Sequence, residues 1–168
     1  MKKLIIFLLF LPFFGCESII QNKKVTEEFN CPIVFFSAKD RIYIDSRTSL
    51  DDVGIKAELN NYAINSNCKK QENINIIPLN VLIVAQPMSN LEEPFLEFPI
   101  YISLLDKNDK LLETQYFLVS GSIKRNSETN TFVETDVSGQ LTVVTEYTNT
   151  FQLVIGFMID NKKRDLLN

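Results

Sequence analysis

Carboxylates recur within one short segment of the sequence, at Asp40, Asp45, Asp51 and Asp52. Loop carboxylates bind Ca²⁺, which takes about six to eight oxygen ligands, and paired carboxylates carry out acid–base chemistry on glycosides. The spacing of these acids follows no known calcium loop, and the Asp106–Asp109 stretch lacks the Gly and Glu that an EF-hand loop requires. We therefore expect solvated loop acids, with neither a metal site nor another cofactor.

Aromatic side chains are the second ingredient of a carbohydrate site, and the chain has no Trp. Its tyrosines are spread along the sequence, at Tyr43, Tyr62, Tyr101, Tyr116 and Tyr147. This scatter favours roles in core and sheet packing. The acids and tyrosines together leave open one alternative, a small extracytoplasmic hydrolase or carbohydrate-binding module. That alternative requires the acids of residues 40–52 to share one cleft with Tyr43.

The chain contains no His. This excludes Ser-His-Asp triads, Cys-His dyads and His-ligated metal or haem sites. Residues 120–124 place Ser near Lys, but a Ser–Lys dyad needs a desolvated Lys, and Lys124 ends a predicted strand where we expect it to be solvated. Since a glycine-rich phosphate loop is also missing, the sequence predicts no catalytic residue and no enzyme activity.

The elements that must position these residues are strands, because apolar and polar residues alternate along most of the chain. Residues 79–86 are apolar on both faces, which predicts a central strand that is covered twice. The predicted strands are residues 33–38, 53–59, 79–86, 96–104, 111–123, 132–144 and 151–159.

Seven short strands favour an all-β fold. We expect residues 31–168 to form a single domain, a two-sheet antiparallel β-sandwich of immunoglobulin-like size, with a small β-barrel as the alternative. Residues 160–168 are predicted to be a polar tail or a single helical turn, with Lys162, Lys163 and Arg164 solvated.

Turn and proline signals separate the strands. Asp106–Asp109 is typical of a hairpin turn between two apolar runs. Pro78 and Pro99 each predict a strand start, an edge or a bulge, because proline cannot donate to a ladder. An exposed edge near either proline would suit a partner segment that adds a strand to the sheet.

The N-terminus resembles an export signal. Lys2 and Lys3 precede an apolar run, residues 4–14, which is too short for the roughly 20 residues of a membrane span. Gly15 followed by Cys16 is typical of a bacterial lipoprotein signal, although Phe13 and Phe14 depart from its usual pattern. We predict a signal peptide at 1–15, lipidation of Cys16, and a tether at 16–30; an uncleaved or differently cleaved signal is the alternative.

The remaining cysteines, Cys31 and Cys68, then form an even pair. The periplasm is oxidising, which favours a disulfide that would stabilise the fold by roughly 4 kcal/mol. Two buried free thiols are the alternative.

The net charge of −4 gives the chain no electrostatic reason to bind nucleic acid. Its membrane affinity would come from the acyl chains.

Several stretches between residues 31 and 159 resemble a family of uncharacterised alphaproteobacterial lipoproteins. They are Cys31–Val34, Ala38–Asp40, Val53–Ala57, Asn67–Cys68, Phe98–Tyr101 and Leu153–Met158. The resemblance implies an anchored periplasmic domain with its two internal cysteines paired, and it implies no activity.

These observations give a leading hypothesis of a non-enzymatic envelope lipoprotein with a palmitate-type anchor. It is held in the membrane by lipid, faces the periplasm, and binds a protein or assembly partner. Asp directly after the lipidated cysteine favours inner-membrane retention in some bacteria, and Glu17 in that position decides for neither membrane. We expect the outer membrane.

Overall fold

The computed structural model describes residues 26–45, 49, 51, 53–64, 66–88, 91 and 94–167. In these ranges the chain forms twelve strands and one short helix. In chain order they are β1 (Thr26–Phe29), β2 (Ile33–Phe36), β3 (Ile42–Ile44), β4 (Ile55–Ala63), β5 (Cys68–Gln71), β6 (Ile74–Pro87), β7 (Phe95–Leu105), β8 (Leu111–Ser122), β9 (Lys124–Arg125), β10 (Phe132–Val133), β11 (Thr135–Thr145), β12 (Gln152–Phe157) and α1 (Asn161–Leu167).

The larger, six-stranded sheet is organised around β6. Strand β11 pairs with β6 along one edge, from Asn75 to Ala85. On the opposite edge β5 and β4 lie end to end, β5 against the first residues of β6 and β4 against the last. Strand β1 extends the sheet beyond β5, and β3 extends it beyond β4.

The second sheet has four strands in the order β2-β12-β7-β8. Its pairs are antiparallel except for β2 and β12, which run parallel. The short pair β9–β10 connects β8 of this sheet with β11 of the other.

Alternate side chains of both sheets form one buried apolar core. Strand β7 contributes Phe98, Ile100, Ile102 and Leu104, each at most 1% exposed. The fold is therefore an all-β sandwich, as the sequence predicts, and the described strands do not close into the small barrel that was the alternative.

Strand β6 is central, as expected, but it is fully covered on one face only. Val81, Ile83 and Ala85 are buried, whereas Leu82 and Val84 on the other face are partly exposed. The apolar run of β6 thus marks the central strand of the sheet, although only one face of that strand is covered by the other sheet.

The two prolines lie inside long strands rather than at a sheet edge. Pro78 pairs with Thr142 on one side, and on the other side it faces the gap between β5 and β4. Pro99 lies one residue beyond the end of the β12 ladder, which finishes at Ile100. Both positions are local interruptions of a ladder, so a missing N–H is tolerated there, and the predicted partner edge at these prolines is wrong.

The domain begins earlier than residue 31. Residues 26–29, assigned to the tether at 16–30, form β1 and pair with β5 from Thr26↔Gln71 to Phe29↔Cys68. The strand was missed because Thr26, Glu27 and Glu28 are all exposed and show no alternation. Strands β3 and β5 were missed for a similar reason, since each has only three or four residues.

A disulfide joins Cys31 and Cys68, confirming the predicted pair. Cys31 lies where the chain leaves the six-stranded sheet for β2, and Cys68 opens β5 and is fully buried. The bond therefore fixes one crossing of the chain between the two sheets.

The two sheets approach closely where β8 faces β11. A Cβ on Gly121 would lie 2.5 Å from a Val137 methyl, and a Cβ on Gly139 would lie 2.6 Å from a Val119 methyl. Each glycine therefore accepts a valine from the facing strand, and this reciprocal packing sets the separation of the sheets at that side.

Replacing Gly139 with Ala should lower the free energy of unfolding by about 1–3 kcal/mol, because the new methyl overlaps Val119. Adding Val119→Ala should recover part of that loss, since it removes the clashing methyls. A urea double-mutant cycle measures the coupling; strictly additive losses would contradict the reciprocal packing.

The double variant Cys31→Ser, Cys68→Ser should lose about 2–4 kcal/mol of stability, because the bond closes a chain separation of 37 residues. Reductant should destabilise the wild type by a similar amount and leave the double variant unchanged. A wild type that unfolds at the same urea concentration with and without reductant would refute this expectation.

Candidate functional site

Asp40 is 8% exposed, and both oxygens of its carboxylate accept hydrogen bonds from other side chains. Its Oδ2 accepts hydrogen bonds from Tyr101 Oη at 2.7 Å and from Ser37 Oγ at 3.3 Å. Its Oδ1 accepts from Arg164 Nη2 at 2.9 Å and Nε at 3.3 Å. We call Asp40, Ser37, Tyr101 and Arg164 the Asp40 cluster.

Three separate elements bring the Asp40 cluster together. Ser37 and Asp40 belong to the segment that crosses from β2 to β3, and Asp40 O accepts a backbone hydrogen bond from Phe157 N at 2.7 Å. Tyr101 comes from β7, and Arg164 from α1. The cluster thus lies where the chain crosses between the sheets a second time.

Gly156 allows Tyr101 to reach Asp40. Gly156 of β12 pairs with Tyr101, and a Cβ at Gly156 would lie 2.5 Å from Tyr101 Cζ and 2.6 Å from its hydroxyl oxygen. The tyrosine ring therefore lies across the bare backbone of β12, and its hydroxyl extends to the carboxylate.

None of the residues of helix α1 is buried, and charged side chains make two of its contacts with the sandwich. Besides the Arg164–Asp40 ion pair, Lys163 Nζ lies 4.7 Å from the centre of the Tyr43 ring, a cation–π contact. Beside the helix is a cleft of about 390 Å³, lined by Ala38, Lys39, Arg41, Ile42, Glu58, Arg164 and Leu167.

The ionisation of the cluster is set by competing effects. Burial raises the pKa of Asp40, but the hydrogen bonds from Tyr101 and Arg164 and the charge of Arg164 outweigh burial and hold that pKa below the ordinary aspartate value. Burial and the hydrogen bond to Asp40 raise the pKa of Tyr101. Asp40 is thus ionised and Tyr101 neutral at pH 7.

This arrangement suits a structural clamp better than a catalytic group. A general base needs a free lone pair directed at a substrate, whereas both oxygens of Asp40 already accept hydrogen bonds from the chain. The contacts instead join the crossing segment, the four-stranded sheet and the C-terminal helix.

The other predicted loop acids have different partners. Asp45 Oδ1 accepts hydrogen bonds from Gly54 N at 2.9 Å and Ile55 N at 3.0 Å, so it closes the loop before β4. Asp51 is exposed and Asp52 lies outside the described residues. Of the acids that the structure describes here, Asp40 and Asp45 therefore hold different parts of the chain through different hydrogen bonds.

The tyrosines fall into two groups, those that pack against other aromatic rings and those that are exposed. Tyr43 packs against Phe98 and Phe157, with ring centres 5.8 and 5.5 Å apart. Tyr62 makes an edge contact with Phe36, while Tyr116 and Tyr147 are exposed. Packing therefore explains Tyr43, the residue on which the carbohydrate alternative depended.

Three further residues that the sequence analysis considered are Asp106, Lys124 and Arg164. Asp106 Oδ1 accepts from Asn108 N and Lys110 N and forms the predicted hairpin turn between β7 and β8. Lys124 is exposed, which agrees with a solvated Lys. Arg164 was expected in a solvated tail, and that expectation is wrong, because the helical turn directs it to Asp40.

The described residues include no group of three or more His, Cys, Asp or Glu side chains that could hold a metal ion. Within the same residues, no helix has the length and apolar character to cross a bilayer. Cys16, the predicted lipidation site, lies outside the described part of the chain. Comparison with protein-family models, curated proteins and solved structures gives no match to this chain.

Sequence reasoning did not find the Asp40 cluster. Asp40, Tyr101 and Arg164 are far apart in the chain, and Asp40 was grouped with the acids that follow it. One available signal was Gly156 in the middle of an alternating apolar strand, because a strand glycine often marks a close approach by another group.

Asp40→Asn should lower stability at pH 7 by about 1–3 kcal/mol, because it removes the charge that Arg164 and Tyr101 face. Since the folded-state pKa of Asp40 is depressed, the contribution is present above about pH 4 and is lost as the pH falls through the folded value. Urea unfolding at pH 7 and pH 2.5 measures the effect, with the exposed Asp136→Asn as control. An equal loss at both pH values would contradict a role for the charge.

Proposed function

We propose that the chain is a lipid-anchored lipoprotein of the Gram-negative envelope, a non-enzymatic binding or assembly module that faces the periplasm. The observation that carries the proposal is that two of the three cysteines are joined to each other and the third is not part of that bond. A disulfide uses Cys31 and Cys68, and the third cysteine, Cys16, follows an apolar run and a small residue.

The disulfide supports an exported location. Disulfides form and persist in oxidising compartments and are rare in the bacterial cytosol. One of the two bonded cysteines, Cys68, is fully buried, and the first two strands of the domain have only four residues each. An exported chain with this bond has an odd cysteine, and a thioether-linked lipid accounts for it.

The position of β1 is compatible with a domain close to a membrane surface. Residues 17–25 separate Cys16 from Thr26, and a chain of that length reaches at most about 35 Å. We infer that the anchor keeps the sandwich within one domain diameter of the bilayer, where two or more acyl chains give stable attachment.

The described polar groups support binding rather than catalysis. Asp40 and Asp45 are committed to structural hydrogen bonds, and Arg41 pairs with Glu58 at 3.1 Å while donating to Leu59 O. We propose a protein of the envelope as the partner and the outer membrane as the location. The resemblance to alphaproteobacterial lipoproteins points the same way.

Cys16→Ser should release the protein from the membrane fraction, because it removes the only thiol left for acylation when Cys31 and Cys68 are joined. The matched control is the Cys31→Ser, Cys68→Ser double variant, which should remain anchored although its fold is weaker. Fractionation of envelopes and intact mass with and without reductant measure both properties. A wild type recovered at full length from the cytosol with every thiol titratable would refute the proposal.

A further inference from the structure

The chain enters the sandwich at an end where both sheets finish. In the six-stranded sheet the last row of paired residues runs from Thr26 through Gln71 to Ile74. Thr145 of the same sheet donates a hydrogen bond to Glu113 of β8 at 2.7 Å, so the four-stranded sheet ends beside it. The last row of that second sheet is Ile33, Gln152, Leu105 and Leu111. We call these two rows, together with the connections 72–73, 106–110 and 146–151 beyond them, the Thr26 end.

Large apolar side chains are exposed where the four-stranded sheet reaches the Thr26 end. Leu111 is 56% exposed, and Ile33 and Phe151 are each 48% exposed. Ile33 N donates a hydrogen bond to Phe151 O at 3.1 Å. Phe151 N in turn donates to the carbonyl oxygen of Leu105, whose partner in β8 is Leu111. The three exposed side chains therefore belong to neighbouring backbone positions across the end of this sheet.

A second apolar group lies where the six-stranded sheet ends. Tyr147 and Ile74 are exposed, and they line one open cleft together with the exposed Val144. Thr150 donates its N–H and its hydroxyl hydrogen to Tyr147 O, which makes a tight turn between Tyr147 and Phe151. The two apolar groups are thus joined through one connection, and exposed apolar side chains grouped in this way mark an interaction site.

The Thr26 end also carries charges of both signs. At or beyond its last rows the charged residues are Glu72, Asp106, Asp109, Glu146, Lys107 and Lys110. Since four acids stand against two lysines, this end has no electrostatic attraction to an anionic surface. A contact confined to hydrated, zwitterionic headgroups leaves these charges in water while the apolar side chains reach less polar surroundings.

We propose that the Thr26 end rests on the bilayer, in contact with zwitterionic phospholipid headgroups. The inference rests on the proposed function, because it takes the acylated Cys16 as the anchor. Residues 17–25 connect Cys16 with Thr26 and reach at most about 35 Å. Strands β7 and β11 have eleven residues each, about 37 Å, so the opposite end of the sandwich lies that much farther from Thr26. The point of attachment therefore presents the Thr26 end to the lipid.

The exposed side chains of the Thr26 end suit this contact. Tyrosine is enriched at membrane–water interfaces, because its ring is apolar and its hydroxyl group remains hydrated. Apolar side chains that enter the boundary between headgroups and acyl chains add to the binding that the anchor supplies. Strand β12 runs from Gln152 at this end to Phe157, whose N–H donates to Asp40 O, so the Asp40 cluster and α1 face away from the bilayer.

Tryptophan fluorescence of the full, acylated chain in vesicles tests the proposal. The chain has no Trp, so Phe151→Trp introduces a single fluorophore at the Thr26 end. In phosphatidylcholine vesicles whose acyl chains are brominated near the headgroup, its emission should be quenched relative to unbrominated vesicles. The matched control is Phe95→Trp, which is 57% exposed at the opposite end of β7 and should be quenched at least threefold less.

Flotation of the same vesicles reports the anchor separately. Protein that floats with equal quenching of the two variants overturns the contact at the Thr26 end and leaves the anchor in place. Protein that does not float with the vesicles overturns the proposed function itself.

Removing apolar side chains from the Thr26 end provides a second readout. In the Phe151→Trp background, Ile33→Asn with Leu111→Asn should reduce quenching at least twofold while flotation is unchanged, because the neighbouring contacts with lipid are lost. The control pair Met88→Asn with Met158→Asn changes exposed residues towards the opposite end and should leave quenching as it was. Quenching that both pairs leave unchanged would contradict a contact made through these side chains.

Discussion

The Asp40 carboxylate is the contact on which one side of the sandwich depends. Strands β2 and β3 have only three or four residues, and the chain crosses from one sheet to the other between them. Such short strands gain little from their own ladders. The crossing is held instead by a carboxylate that joins Tyr101 of β7 and Arg164 of α1.

The disulfide performs the same task at the preceding crossing. It joins the segment between β1 and β2 to the first residue of β5, a position with no exposed surface. One crossing is therefore fixed by a covalent bond and the next by charge-assisted hydrogen bonds. On the opposite side of the sandwich, Gly121 and Gly139 each admit a valine from the facing strand, and Thr145 of β11 donates a hydrogen bond to the Glu113 carboxylate of β8 at 2.7 Å. The core itself is formed by the alternate, buried side chains of the strands. The disulfide, the hydrogen bonds of Asp40 and the packing of valines on glycines align the two sheets around this core.

Sequence reasoning found the long strands and the short strand β2, but it missed the short strands β1, β3 and β5. Strands β7 and β11 alternate over eleven residues each, so one face of each is apolar and their placement follows from periodicity. Strand β1 has no such pattern, because three of its four residues are exposed and only Phe29 packs against the core. Hydrophobic periodicity arises from burial, so a strand that buries few side chains shows no periodic pattern in the sequence.

The candidate site was less accessible to prediction than the fold. The cysteine pair could be predicted because the number of cysteines is small and the compartment favours pairing. The Asp40 cluster requires contacts across 61 and 124 residues of sequence, which no local pattern encodes.

The location of the disulfide has a mechanical consequence. A pull on the N-terminal end of the chain acts first on β1, whose residues would part from β5 one pair at a time, starting at Thr26↔Gln71. Separation reaches Phe29↔Cys68 and then meets the sulfur bridge two residues later, where the load passes covalently into β5. The domain can thus lengthen slightly under tension while its core stays intact.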